Sequence, residues 1–93
     1  MASTRDFFEF IREQLSALPG VTYRAMMGEY IVYKNGVVVG GIYDDRLLLK
    51  PLPPAVAALP DAPREIPYPR GKPMLLVEDI DSSGALCDLF RKL

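Results

Sequence analysis

The chain contains no histidine. The commonest general base and the commonest imidazole metal ligand are therefore both unavailable. Cysteine occurs once, at Cys87, which excludes an intrachain disulfide and suits a reducing cytosol. Without histidine, Cys87 cannot be activated as in a Cys–His pair, and among Leu86, Leu89 and Phe90 it reads as a buried structural thiol. No apolar run approaches the ~20 residues of a membrane span. The opening MASTRDFFEF has neither a basic stretch nor a continuous apolar one, so no signal peptide is expected and a cytoplasmic location is.

Runs of one charge are missing too. Eleven basic residues are scattered among twelve acidic ones, for a formal net charge of −1 and a pI of about 5.3. That argues against a broad electrostatic grip on DNA or RNA, which relies on clustered Lys and Arg. Lys34-Asn35-Gly36 and Val39-Gly40-Gly41 lack the spacing of a phosphate loop or a dinucleotide fingerprint. Glu78, Asp79 and Asp81 read as capping and solvated acids rather than cation ligands. Ser82-Ser83 reads as a helix cap, with no local base to make either a nucleophile. No cofactor, no metal and no catalytic residue is expected.

What remains is material for one small domain spanning residues 1–93, with 49% hydrophobic residues to build a core. Ser3 or Thr4 can cap a first helix. Phe7, Ile11, Leu15 and Leu18 recur at helical spacing, with Phe8 and Phe10 widening the stripe, and Pro19-Gly20 ends it. Val21–Met27, Glu29–Lys34, Val37–Tyr43 and Arg46–Lys50 then read as four strands. Gly28 turns the chain after the first, Asn35-Gly36 is a strong hairpin signal, and Asp44-Asp45 makes the next tight turn.

Two-residue turns imply a register. Lys34 is expected opposite Val37, Val32 opposite Val39, Tyr30 opposite Gly41, and Gly41 opposite Leu48. One face then carries Ile31, Tyr33, Val38, Gly40, Ile42, Leu47 and Leu49, a normal core for helices to cover. The other carries Tyr30, Val32, Lys34, Val37, Val39, Gly41, Tyr43, Arg46, Leu48 and Lys50. A sheet face left in water alternates to polar residues, and this one stays rich in Tyr, Val and Leu. Tyr30, Val32, Val39, Tyr43 and Leu48 are therefore the expected contact surface. On that reading Val39→Lys weakens association and leaves folding intact. Gly40 and Gly41 suit close approach by Tyr30 or a partner backbone; the simpler reading is a bulge or packing relief.

Residues 51–73 hold eight of the nine prolines. Pro54 with Ala55–Leu59 predicts a short helix. Arg64–Tyr68 and Pro73–Glu78 predict short edge strands around Arg70-Gly71-Lys72. Asp81, Ser82 or Ser83 caps a last helix with a stripe of Leu86, Leu89, Phe90 and Leu93, and Arg91 and Lys92 suit its negative end. The order α-β-β-β-β-α-β-β-α predicts an α+β domain with a single antiparallel sheet and helices mainly on one face.

Arg24-Ala25-Met26-Met27-Gly28-Glu29-Tyr30, the Asn35-Gly36 hairpin, Ile42-Tyr43-Asp44-Asp45 and Leu47-Leu48-Leu49-Lys50 together resemble the N-terminal domain of the TfoX/Sxy competence-regulator family. Tyr68, Met74 and the acidic start of the last helix fit as well. Met27 stands where the family has Phe and Glu29 where it has a second Gly, so Arg24, Met27 and Gly28 form the motif turn in altered form. The resemblance implies a stand-alone N-terminal domain, without the C-terminal domain of larger members, and a fold like secretion-chaperone-type domains, which often pair as dimers. It implies a role in natural competence, acting with a transcription activator.

The reading as a whole is a non-enzymatic, regulatory, protein-interaction domain, partnered by a transcription activator or by itself as a homodimer. Two alternatives stay open. One is direct nucleic-acid binding through Arg24, Arg46, Lys50, Arg70 and Lys72, against which the acidic pI weighs. The other is a small-molecule site in the Pro-rich region, which a pocket with convergent polar groups would revive.

Overall fold

The computed structural model describes residues 3–93. Helix α1 spans Arg5–Gln14 and is followed by four strands, β1 Val21–Met26, β2 Glu29–Lys34, β3 Val37–Tyr43 and β4 Arg46–Leu49. A short helix α2, Pro53–Ala58, leads to β5 Arg64–Glu65 and β6 Met74–Leu76, and helix α3 covers Ser83–Arg91. The strands form one six-stranded antiparallel sheet in the order β1-β2-β3-β4-β6-β5. The α+β architecture and element order are those the sequence predicts. The Pro-rich strands are shorter than expected, because Pro67, Pro69 and Pro73 offer no N–H to a ladder.

Local chemistry explains the boundaries. Thr4 caps α1 by accepting the Phe7 N–H at 3.1 Å, and Ser82 caps α3 by accepting the Ala85 N–H at 3.2 Å. Pro53 opens α2, where its missing N–H costs nothing. Each of the first three hairpins turns on two residues with positive φ: Met27-Gly28 at 52° and 86°, Asn35-Gly36 at 51° and 82°, Asp44-Asp45 at 52° and 56°. This is the type I′ geometry, whose twist matches that of the strands it joins.

The helix-facing side of the sheet closes the core. Phe8 and Ile11 from α1, Leu15 at its C-cap, and Leu86, Cys87, Leu89 and Phe90 from α3 meet Val32, Ile42, Leu47, Leu49 and Leu75 from the strands. Each large aliphatic side chain sealed here contributes roughly 1.5–3 kcal/mol. The Phe8 ring stacks on Tyr30 at 4.0 Å between centroids and meets the edge of Tyr23 at 5.3 Å. Burial pushes the Tyr23 phenol up to about 12, against the lowering effect of Arg12. Gln14 ties the two long helices: its carbonyl accepts Ser83 Oγ at 2.7 Å and Cys87 Sγ at 3.5 Å, and its amide donates to the Ile80 carbonyl at 2.7 Å. Lys34 Nζ donates to the carbonyls of Arg91 and Leu93 at 3.2 and 3.3 Å, satisfying the end of α3.

The register differs from the expected one at a single place. Val32 pairs with Gly40 and Tyr33 with Val38, leaving Val39 as an extra residue in β3. This is a β-bulge, the simpler reading of the glycine pair. Its backbone stays satisfied, since the Val39 carbonyl accepts Lys50 N–H at 2.9 Å. Gly40 has no room for a side chain: a Cβ there would run into the Leu48 carbonyl of the neighbouring strand. Because successive side chains alternate faces, one inserted residue exchanges the faces of everything on its β2 side. Tyr30 therefore pairs with Ile42 rather than Gly41, and Tyr30, Val32, Lys34, Val37 and Val39 face the helices. Ile31, Tyr33 and Val38, expected in the core, lie on the opposite, outer face. Beyond the bulge the expected assignment holds, with Ile42, Leu47 and Leu49 inside and Tyr43, Arg46 and Leu48 outside.

The consequence for Val39 is the reverse of the sequence expectation. At 5% exposure it is core, and a lysine there would have to carry its charge out of an apolar cluster. Val39→Lys is expected to cost about 3 kcal/mol or more and to unfold much of the protein at 25 °C. Urea denaturation followed by circular dichroism measures this; a variant as stable as the parent would contradict the bulge.

Candidate functional site

The five residues expected to share a contact face do not share one. Val32 and Val39 are core at 0% and 5% exposure, and Tyr30 lies against Phe8. Tyr43 and Leu48 are on the outer face, and Leu48 is fully buried there. The bulge at Val39 separates the two groups.

The motif turn is brought together, at the end of the edge strand β1. Gly28 takes φ 86°, which it tolerates freely. Met27 takes φ 52° without being Gly, Asn or Asp, and its side chain is 96% exposed. A left-handed backbone at such a residue costs roughly 1–2 kcal/mol, and no packing of its side chain offsets it. Arg24 lies on the outer face, exposed, and makes no hydrogen bond or ion pair among the described residues. It does not hold the turn.

Glu29 does that instead. One carboxylate oxygen accepts the Ser3 N–H at 2.7 Å and the other accepts the Asp44 N–H at 2.9 Å. Ser3 N–H also reaches the Gly28 carbonyl at 3.1 Å. Asp45 completes the clasp, accepting Thr4 N–H at 2.7 Å while its own N–H donates to Ser3 Oγ at 3.1 Å. The start of the described chain is thus fastened across two neighbouring turns. Glu29, one of the two departures from the motif the sequence resembles, is the one doing the fastening.

The other half of the outer face is partly roofed by the loop after β5. Arg46 reaches Glu65 Oε1 at 2.8 Å and donates to the carbonyls of Ile66 and Pro67 at 3.3–3.4 Å. Pro67 is buried, and Tyr68 meets Tyr43 with ring centroids 5.9 Å apart and tilted by 58°. Tyr43 in turn lies over Gly41, where a Cβ would strike its ring. Burial, then Tyr68 and Glu29 nearby, raises the Tyr43 phenol above its ordinary value. Between this loop and the end of β4 is a cleft of about 410 Å³ lined by Tyr43, Lys50, Pro51, Pro67, Tyr68, Arg70, Gly71, Lys72, Pro73 and Met74.

Lys50, Arg70 and Lys72 line that cleft together, as the nucleic-acid alternative supposed. Arg46 is spent on Glu65 and the loop carbonyls, and Arg24 stands three strands away across the sheet. Tyr68, expected at the end of a strand, lies instead in a loop that folds back over the sheet, which alternation of polar and apolar residues does not encode. Cys87, at 3% exposure, is inaccessible as a nucleophile. Among the described residues, no group of three or more Cys, Asp and Glu could hold a metal ion, and no helix is long and apolar enough to cross a membrane.

Three helices on one side of an antiparallel sheet, with the other side partly open, define a small α+β domain whose available surface is a sheet face, an edge strand and a loop cleft. The family model of the TfoX N-terminal domain matches residues 13–79, and the chain belongs to that family of regulatory domains. The matched span runs from the last turn of α1 past β6 and includes the motif turn and the cleft. No curated protein and no solved structure matches the chain.

Glu29→Ala removes the acceptor of two backbone N–H groups and frees the clasp. It is expected to lower stability by about 1–2 kcal/mol and to speed amide exchange at Ser3 and Asp44. Hydrogen exchange by NMR measures both, and unchanged rates at those amides would show that the clasp holds nothing.

Proposed function

We propose that this protein is a non-catalytic regulatory domain that acts by touching another protein, in the manner of regulators of natural competence that work with a transcription activator. It acts in the cytoplasm. The contact surface is the open part of the outer face with its edge: Arg24, Met26 and Met27 on β1 and its turn, and Ile31, Tyr33 and Val38 beside them. This replaces the set Tyr30, Val32, Val39, Tyr43 and Leu48.

The observation that carries the reading is Met27. A large apolar side chain stands almost wholly in water on a strained turn, where Asn would be unstrained. Strain that stability does not require is typical of a binding tip. Its surroundings support a contact surface. Among the described residues β1 is an edge strand whose outer side pairs with no other strand, and Met26 beside the tip is also exposed. Ile31, Tyr33 and Val38 are only half-buried, with the helices on the other side of the sheet.

The substitution Met27→Asn separates function from folding. It is expected to hold or raise stability, by up to about 1 kcal/mol, because Asn suits the left-handed position. It is also expected to weaken regulation. In the source bacterium, deletion of the gene should change output from a competence-promoter reporter several-fold. The parent chain should restore it and Met27→Asn combined with Ile31→Lys should not. A reporter indifferent to the deletion, or fully restored by the double variant, would overturn the proposal.

A further inference from the structure

The cleft under the β5–β6 loop has a chemistry that the contact surface does not use. Three cations, Lys50, Arg70 and Lys72, line it, and no carboxylate does. None of the three forms an ion pair among the described residues, whereas Arg46, which bonds to the carbonyl of the lining residue Pro67, is already engaged by Glu65. In a chain with more acids than bases, three unneutralised cations in one concavity leave a local positive field that the net charge of −1 conceals. The cleft also holds an aromatic surface. Tyr68 is 57% exposed, and its position is set by contact with Tyr43. More than half of Tyr68 is therefore available to a ligand in the cleft.

The walls are stiff. Pro51, Pro67 and Pro73 fix three of the backbone angles around the cleft, and Arg46 fastens the loop by its carbonyls. A surface already held in shape loses little freedom when a ligand arrives. Its volume of about 410 Å³ falls at the lower end of the range for small-ligand sites, which begins near 300 Å³.

We propose that this cleft binds a nucleotide, the base stacked on Tyr68 and the phosphate held among Lys50, Arg70 and Lys72. An aromatic platform beside cations is the arrangement by which proteins take nucleotides singly or in a single strand. The proposal is independent of the protein contact through Met27, and either can fail alone.

The test is an NMR titration of the ¹⁵N-labelled chain with thymidine monophosphate, with thymidine, and with an eight-residue oligothymidylate. Thymidine monophosphate is expected to shift the amides of Lys50, Tyr68, Gly71 and Met74, with a dissociation constant on the order of 0.1–1 mM. Thymidine without phosphate is expected to bind at least fivefold more weakly, since it leaves the cations unused (roughly the loss of one charge-assisted contact). Lys72→Glu and Tyr68→Ala change exposed side chains, so each should keep a dispersed spectrum and bind at least about fivefold more weakly. The oligothymidylate separates the sources of the ligand. Binding tenfold or more tighter than the mononucleotide, and steeply salt-dependent, assigns the site to single strands. Equal binding assigns it to free nucleotides. The proposal is overturned if no localised shift appears at about 10 mM mononucleotide, if thymidine binds as well as its phosphate, or if both variants bind like the parent. It is overturned equally if an acidic, tyrosine-containing peptide occupies the same residues and the nucleotides do not.

Discussion

One residue more on β3 than on β2 determines which side of this sheet is wet. At the Val39 bulge the alternation slips by one, so that Tyr30, Val32 and Val39 turn inward together with Ile42, Leu47 and Leu49. Without the slip, the core would have to take either the β2 set or the β4 set, not both. Gly40 makes the slip affordable, since any side chain there would meet the backbone of β4. The Val39 carbonyl finds the Lys50 N–H, so no buried backbone group is left unpaired at the irregularity. Bulges of this kind sharpen the twist of a sheet. Here the bulge also leaves Ile31, Tyr33 and Val38 on the side without helices.

The two ends of the outer face are then finished by different means. Over β4 the sheet is roofed by its own chain: Arg46 draws Ile66 and Pro67 down, Tyr68 meets Tyr43, and Leu48 disappears from solvent. Over β1 nothing comparable arrives among the described residues. The carboxylate of Glu29 and that of Asp45 fasten Ser3 and Thr4 across the turns, which steadies the end of the sheet but leaves β1 as an edge and Met27 in water. The protein contact proposed at Met27 and the nucleotide cleft at Tyr68 belong to these two ends. One is apolar and strained, the other cationic and stiff.

Much of this was legible in the chain itself. Two of the turns were, because Asn35-Gly36 and Asp44-Asp45 are each bounded by alternating strands and leave room for two residues only; after β1 the sequence places Met27 in the strand, whereas it forms the turn with Gly28. The helices were, because Phe7, Ile11 and Leu15, or Leu86, Leu89 and Phe90, recur at the helical period. The family was, from the Arg24–Tyr30 motif and the segments after it, and the match over residues 13–79 bears that out. The contact face was not. Counting back from a two-residue turn assumes an unbroken ladder, and a run of Val37, Val38 and Val39 looks the same whichever valine is the extra one. The glycine pair Gly40-Gly41 was the available signal, since it reads as a bulge as well as a close approach. The cleft was legible in part. Lys50, Arg70 and Lys72 are three of the five cations grouped from the sequence, with Arg24 and Arg46 wrongly joined to them, and the loop that carries Tyr68 back over the sheet is held by Arg46 bonding to carbonyls, which carry no sequence signal.

The measurement that bears most directly on this account is the pattern of cross-strand nuclear Overhauser contacts between β2 and β3 in solution. The bulge requires backbone proximity of Tyr30 to Ile42 and of Val32 to Gly40, with Tyr33 opposite Val38. Those contacts, together with side-chain contacts from Val39 to the core, would establish that the Ile31–Tyr33–Val38 side is the open one. Proximity of Tyr30 to Gly41 and of Val32 to Val39 would restore the unbroken register. It would exchange the two faces and contradict the account at its base.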